Sequence, residues 1–162
     1  MSLTWEQQDF IEAAARAAAA AGHIFPEMAA CEAAVESAWG SSELAHNYHN
    51  LFGQKQQQHP VYSTVEIPTR EFINAEWITE DAAWVVFPDW QSCFASRMNT
   101  LRNLSTTYPH YAMALMADAP EEYVTEVSKS WATDPNRAAT CIAIFHAHKD
   151  ILDAALAGSQ KR

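Results

Sequence analysis

Between residues 36 and 53 the chain reads ESAWGSSELAHNYHNLFG, its densest run of side chains able to do chemistry. The run opens on a carboxylate, Glu36, continues with Trp39 and Gly40, and closes on Asn50, Leu51, Phe52 and Gly53. A carboxyl that borders a core and still faces a cleft is the kind of group general acid–base chemistry uses, because partial burial moves its pKa toward neutrality. Further carboxylates follow at Glu66, Glu71, Glu76, Glu80 and Asp81. The close histidine pairs, His46 with His49 and His146 with His148, lack the HExxH or Cys/His partners of a zinc site, so no metal or other cofactor is expected. No GxSxG, P-loop or GxGxxG occurs, which removes the common serine hydrolase, nucleotidase and dinucleotide-binding readings. Cys31, Cys93 and Cys141 are odd in number and widely spaced, and read as small buried side chains.

The elements that must position Glu36 follow from pattern. Pro26 suits the first turn of a helix running to about Trp39, with Met28, Cys31, Val35, Ala38 and Trp39 gathered on one face and Glu36 roughly a quarter turn from it. Before it, Thr4 and Gln7 form a capping-box pattern that opens a helix over 4–21, stopped by Gly22. Residues 60–88 are rich in β-branched and aromatic side chains and predict a β-ribbon turning at Asn74-Ala75-Glu76, with Pro68 marking an edge or a break. Helices are predicted again at about 90–105, 109–117, 119–130 and 135–157. Asp118 with Glu121 resembles a capping box, and Asp134 reads as an N-cap before Pro135.

The 162 residues, 49% hydrophobic, fit a single α+β domain, mainly α, spanning 1–162, with a hairpin lobe at about 60–88. The net charge of -10, from 20 acidic and 10 basic residues, argues against a nucleic-acid partner, since phosphate contacts need clustered Lys and Arg. No stretch is apolar for long enough to insert in a membrane, and the N-terminus lacks the pattern of a signal peptide. The expectation is a chain made in the cytoplasm and exported by a non-Sec route or by lysis.

ESAWG followed by HNLFGQK closely resembles the ESGWG and NNLFGxK signatures of glycoside hydrolase family 73, the peptidoglycan-cleaving glucosaminidases. TREFINAEW at 69–77 is similar to that family's hairpin, with a threonine two before a glutamate, and WATDPN at 131–136 is similar to its YATDP motif. Three motifs in family order make chance agreement improbable. The resemblance implies a lysozyme-like helical fold with a small β-hairpin lobe closing over a saccharide groove. It also implies cleavage of the β-1,4 bond between N-acetylglucosamine and N-acetylmuramic acid in the glycan strands of peptidoglycan.

On that resemblance Glu36 is the general acid, its pKa raised by burial beside Trp39 and by the like charge of Glu32 one helical turn back. Position within TREF selects Glu71 as the second acid, which would hold a water or stabilise charge at the anomeric carbon; the substrate's own acetamido group is an alternative nucleophile. Trp39, Asn50, Phe52, Trp84, Trp131 and Asp134 are the expected substrate-binding residues, with Asn50, Phe52 and Gly53 shaping the floor and Trp131 stacking on a sugar. Two departures stand out: Trp131 replaces the tyrosine of YATDP, and Trp84-Val85-Val86-Phe87 lacks the basic residue and tyrosine that relatives often carry there. They motivate a second reading, a non-catalytic wall-binding or assembly module. A compact wall hydrolase of this kind also fits a phage lysin, a flagellar or secretion-apparatus domain, or an antibacterial effector acting in the periplasm or cell wall and blocked by a cognate immunity protein in its groove.

Overall fold

A computed structural model of the chain describes residues 2–56 and 61–160, apart from the side chains of Glu71, Ser159 and Gln160. The first helix, α1 (Trp5–Ala20), begins at the predicted capping box: Gln7 N donates to Thr4 Oγ1 at 3.1 Å and Thr4 N to Gln7 Oε1 at 3.0 Å. Its buried face carries Phe10, Ile11, Ala14, Ala15 and Ala18, and it lies against α2 (Pro26–Glu36), whose buried face is built on Ala29, Ala30, Ala33 and Ala34. Small side chains on both surfaces let the two helices approach closely.

The second helix stops at Glu36, sooner than the predicted end at Trp39. Ser37 Oγ donates to Ala33 O at 2.6 Å and accepts from Gly40 N at 2.8 Å, folding the chain back. Ala38, Trp39 and Gly40 then take φ of 51°, 56° and 81°. Gly40 is required there, because a Cβ would lie 2.7 Å from the Phe10 ring as well as at positive φ. A short helix the sequence reading missed, α3 (Glu43–Tyr48), follows from the Ser42 N-cap and ends at left-handed His49.

β1 (Thr64–Ile73) and β2 (Glu76–Val85) form a two-stranded antiparallel ribbon in register from Thr64 opposite Val85 to Ile73 opposite Glu76. The predicted start at residue 60 lies outside the described residues. Asn74 and Ala75 make the turn, both at positive φ (52° and 63°), the twist a two-residue hairpin demands even without glycine. Pro68 sits inside β1 opposite Asp81, tolerated because each strand of such a ribbon has an unpaired edge. Main-chain bonds from Val85 N to Gln54 O and from Gln56 N to Ala83 O anchor the root of the ribbon to the segment after Gly53.

The remaining helices are α4 (Trp90–Asn103), α5 (Pro109–Leu115), α6 (Pro120–Trp131), α7 (Arg137–Ala147) and α8 (Lys149–Gln160). The single helix expected over 135–157 is broken at His148, and its start moves to Arg137, so Asp134 is not its N-cap; its carboxylate instead accepts from Asn136 N at 2.8 Å in the preceding turn. Nor is Asp118 paired with Glu121: α6 has no side-chain cap, and Glu122 accepts from Asp118 N at 3.2 Å. The result is the mainly helical fold with a small hairpin lobe that was expected, around a core including Phe94, Met98, Leu101, Tyr123, Val127 and Leu152. All three cysteines are buried and free. Among the described residues no helix is long and apolar enough to cross a membrane.

Candidate active site

Glu36 is the last residue of α2, where the negative end of the helix dipole disfavours a second negative charge. Its carboxylate is held at both oxygens. Oε1 accepts from Arg137 Nε at 2.8 Å and is ion-paired with Arg137 Nη2 at 2.6 Å, while Oε2 accepts from Trp131 Nε1 at 3.2 Å. The side chain remains 15% exposed and lines an open cleft of about 340 Å³ with Val35, Phe52, Trp131, Ala132, Asp134 and Arg137. Burial pushes the Glu36 carboxyl above its ordinary range, opposed by Arg137 and Arg97 and assisted by Glu32. With Oε1 committed to a permanent cation, a proton goes on Oε2, which in the acid form still has a lone pair for the indole N–H.

Glu32 has a part beyond the like-charge influence expected of it. It is fully buried, with Oε2 accepting from Arg97 Nη2 and Arg137 Nη2, each at 2.7 Å, and Oε1 accepting from the Tyr123 hydroxyl at 2.8 Å. The two guanidiniums overcome its burial and hold its carboxyl down at about 2, so it stays ionised. Its like charge is a lesser influence on Glu36 than burial or the arginines.

The aromatic roles also shift. Trp39 packs edge-on against Phe10 on the α1 side, ring centroids 6.3 Å apart, and does not line the Glu36 cleft. The aromatic lining of that cleft comes from Phe52 and Trp131, and the α4 residue Arg97 bridges them: its guanidinium carbon lies 4.4 Å from the Phe52 ring centroid and 4.1 Å from that of Trp131. Arg97 Nε and Nη1 have no hydrogen-bond acceptor among the described residues, and the two ring faces take that place. Trp131, expected as a sugar-stacking platform, thus has the Arg97 guanidinium over its ring and its N–H on the Glu36 carboxylate.

Asn50 is buried and braces the turn below the cleft: its amide donates to Gln54 O at 2.9 Å and Val85 O at 3.0 Å, and its Oδ1 accepts from Gln54 N at 2.9 Å. Gly53 suits the left-handed φ of 62° there, and the Trp84 ring packs beside it. Trp84 itself donates to Ile67 O at 3.3 Å across the ribbon, which makes it a pin for the hairpin and not a wall of the Glu36 cleft. Asp134 stands exposed at the lip. Glu71 lies in β1 opposite Ile78; its side chain is outside the described residues. His46 and His49 line a separate pocket with Asp89 and Trp90, where His49 Nδ1 lies 3.1 Å from Phe87 O. Among the described residues no three His, Cys, Asp or Glu side chains are grouped to hold a metal.

The sequence reading missed Arg97 and Arg137. The signal was there: Arg97 falls in helical step with buried Cys93 and Leu101, and Arg137 with buried Cys141 and Phe145. A charge in line with an apolar stripe has to find a buried partner.

Among solved structures, the catalytic domain of the autolysin Auto from Listeria monocytogenes superposes with a TM-score of 0.78 at 23% identity, covering 94% of this chain and 89% of that one. A glycoside hydrolase domain of Salmonella typhimurium FlgJ, truncated at its C-terminus, gives 0.69 at 24% identity, covering 89% and 98%. These establish the fold. In sequence, a probable N-acetylmuramidase of Lactococcus lactis subsp. cremoris is 31% identical over 134 residues, 80% of this chain and 30% of that protein. An autolysin of Enterococcus faecalis is 31% identical over 110 residues, 65% of this chain and 14% of that protein. The chain therefore spans less than a third of the length of these curated relatives. The model of the glucosaminidase family, described as mannosyl-glycoprotein endo-beta-N-acetylglucosaminidase, matches residues 12–150. That match takes in Glu36, the ribbon and both side chains that donate to the Glu36 carboxylate, and the chain belongs to this family of glycoside hydrolases, family 73.

Proposed function

We propose that the chain hydrolyses peptidoglycan at the β-1,4 bond between N-acetylglucosamine and N-acetylmuramic acid, with Glu36 as the proton donor. The observation that carries this reading is the Glu36 carboxyl at an open cleft, raised by burial and held by Arg137 on one oxygen. A glycosidic oxygen leaves slowly unless protonated as the bond breaks, and a carboxyl can supply that proton near neutrality only when its pKa is raised. Oε2 is the oxygen placed to carry it.

Glu71 is the proposed second acid. Alternation along β1 puts position 71 on the same ribbon face as Val65, Ile67 and the partner Trp84, and Trp84 packs over Gly53, so this face turns toward the helical lobe. Glu66 falls on the opposite face. Glu71 would hold the attacking water or balance charge at the anomeric carbon, and the acetamido group of the substrate is the other nucleophile to consider.

The N–H that Trp131 gives Glu36 supports a catalytic domain over a non-catalytic binding module, because the tyrosine's replacement still supplies the acid with a donor. Digestion of purified sacculi, borohydride reduction and mass spectrometry test the whole proposal. Reduced N-acetylglucosamine ends are expected. Reduced N-acetylmuramic acid ends would move the bond to that named for the Lactococcus relative, and sacculus or chitooligosaccharide binding without turnover would overturn catalysis. The substrate places the reaction in the periplasm or cell wall, and we extend the reading to an antibacterial effector or lysin whose cleft a cognate immunity protein would fill. That role requires lysis on periplasmic expression, with rescue by a neighbouring gene product; survival of cells making active enzyme there contradicts it.

A further inference from the structure

We infer that Arg137 is a positioning residue for Glu36, and that buried Glu32 sets how firmly Arg137 holds it by competing for the same guanidinium. The inference rests on Glu36 being the acid. Arg137 is almost wholly buried and divides its donors three ways: Nη2 lies 2.7 Å from Glu32 Oε2 and 2.6 Å from Glu36 Oε1, Nε donates to Glu36 Oε1 at 2.8 Å, and Nη1 donates to Ser128 Oγ at 2.9 Å. A single nitrogen, Nη2, thus lies within ion-pair distance of two carboxylates, one sealed in the core and one at the cleft. Glu32 has a second cation in Arg97, and so its claim on Arg137 is partial.

The charges close around the acid. Two arginines face Glu32 and Glu36, so the cluster is neutral when Glu36 is ionised and carries one positive charge when it is protonated. Burial favours the protonated form and the surplus cation favours the ionised one, leaving Glu36 poised between them. The groups facing it come from every neighbouring element: Glu32 on α2, Arg97 on α4, Tyr111 on α5, Trp131 on α6, Asp134 in the turn, and Arg137 and Cys141 on α7. Trp131 ends α6 and Arg137 begins α7, so the WATDPNR segment delivers one donor to each oxygen of the acid.

A structural ion cluster and a cluster that tunes the acid predict different results. Titration of the ¹³C-labelled Glu36 carboxyl by NMR, assigned with Glu36→Gln, is read beside the pH profile of sacculus hydrolysis. Arg137→Gln should raise the Glu36 titration by about one pH unit or more and carry the alkaline limb of activity up with it. Glu32→Gln, which releases the whole guanidinium to Glu36 and removes a like charge, should lower both. Arg137→Lys keeps the charge without the fork, so the titration should stay within about half a pH unit of wild type while kcat falls and KM holds. Shifts in the same direction, or no shift in either folded glutamine variant, overturn the inference. Should Arg137→Gln fail to fold, a Glu32→Gln protein whose Glu36 does not titrate lower overturns it alone. If the titrations move as stated while neither wild type nor any variant releases reducing ends, the proposed function fails and takes the positioning role of Arg137 with it, while the charge coupling between Glu32, Arg137 and Glu36 is established.

Discussion

The indole N–H of Trp131 donates to Oε2 of Glu36 at 3.2 Å, joining side chains 95 residues apart in sequence. An indole can only donate, so this contact favours the ionised acid. Where the family pattern has a phenol, this chain has a group that binds the acid directly and stacks on Arg97.

Trp131→Phe keeps a ring over Arg97 and removes the donor. Hydrogen bonds to charged groups contribute about 1.5 to 3 kcal/mol, so hydrolysis should fall at least about tenfold. The alkaline limb of the pH–rate profile should also move up, because the ionised form loses a stabilising bond. A lower rate with unmoved limbs would assign the indole to packing alone.

For the ribbon, Glu71→Gln should lower sacculus hydrolysis by about 100-fold, in the range expected for loss of an acid–base group. Glu66→Gln, on the other face, should leave it within about twofold, as exposed edge-strand substitutions generally do. Proton NMR of the first-formed anomer then separates inversion from retention or acetamido participation. Full activity in Glu71→Gln would hand the second role to another group.

Stability should fall with acid through two buried groups. His23 is buried and neutral, its pKa lowered from 6.5 to about 3 by burial and Arg97, so the unfolded state takes up its proton first and stability drops from pH 6.5 downward. Glu32, lowered from 4.5 to about 2, stabilises the fold fully above pH 4.5 and loses that contribution as pH falls toward 2. Glu36, with its raised pKa, acts in the opposite sense. Thermal unfolding across pH should show a midpoint that declines below pH 6.5, and His23→Gln should flatten the upper part of that decline. Removing one partner of the buried cluster, as in Glu32→Ala, should cost about 3 to 5 kcal/mol.

Local signals carried far in this chain. The capping box at Thr4, the proline opening α2 and the aromatic ribbon each depend on residues close in sequence, and each appears where expected. Glu36, the carboxylate proposed as the acid, stood out for the same reason, since its motif is contiguous. What escaped were relations across the chain. Trp39 looked like the neighbour of Glu36 by helical spacing, yet Ser37 ends the helix and turns that ring toward Phe10. Glu32 is the like-charge neighbour its spacing suggested, and two arginines from α4 and α7 make it a buried anchor as well. The turn expected over Asn74-Ala75-Glu76 is one residue shorter, because Glu76 already pairs with Ile73 as the first residue of β2.

Release of reducing ends from purified sacculi by wild type and by Glu36→Gln tests the central claim most directly. The account predicts steady release by wild type and a loss of at least about 1,000-fold in a folded Glu36→Gln protein, since an amide cannot deliver the proton. Equal release by the two proteins, or none by wild type, would contradict it.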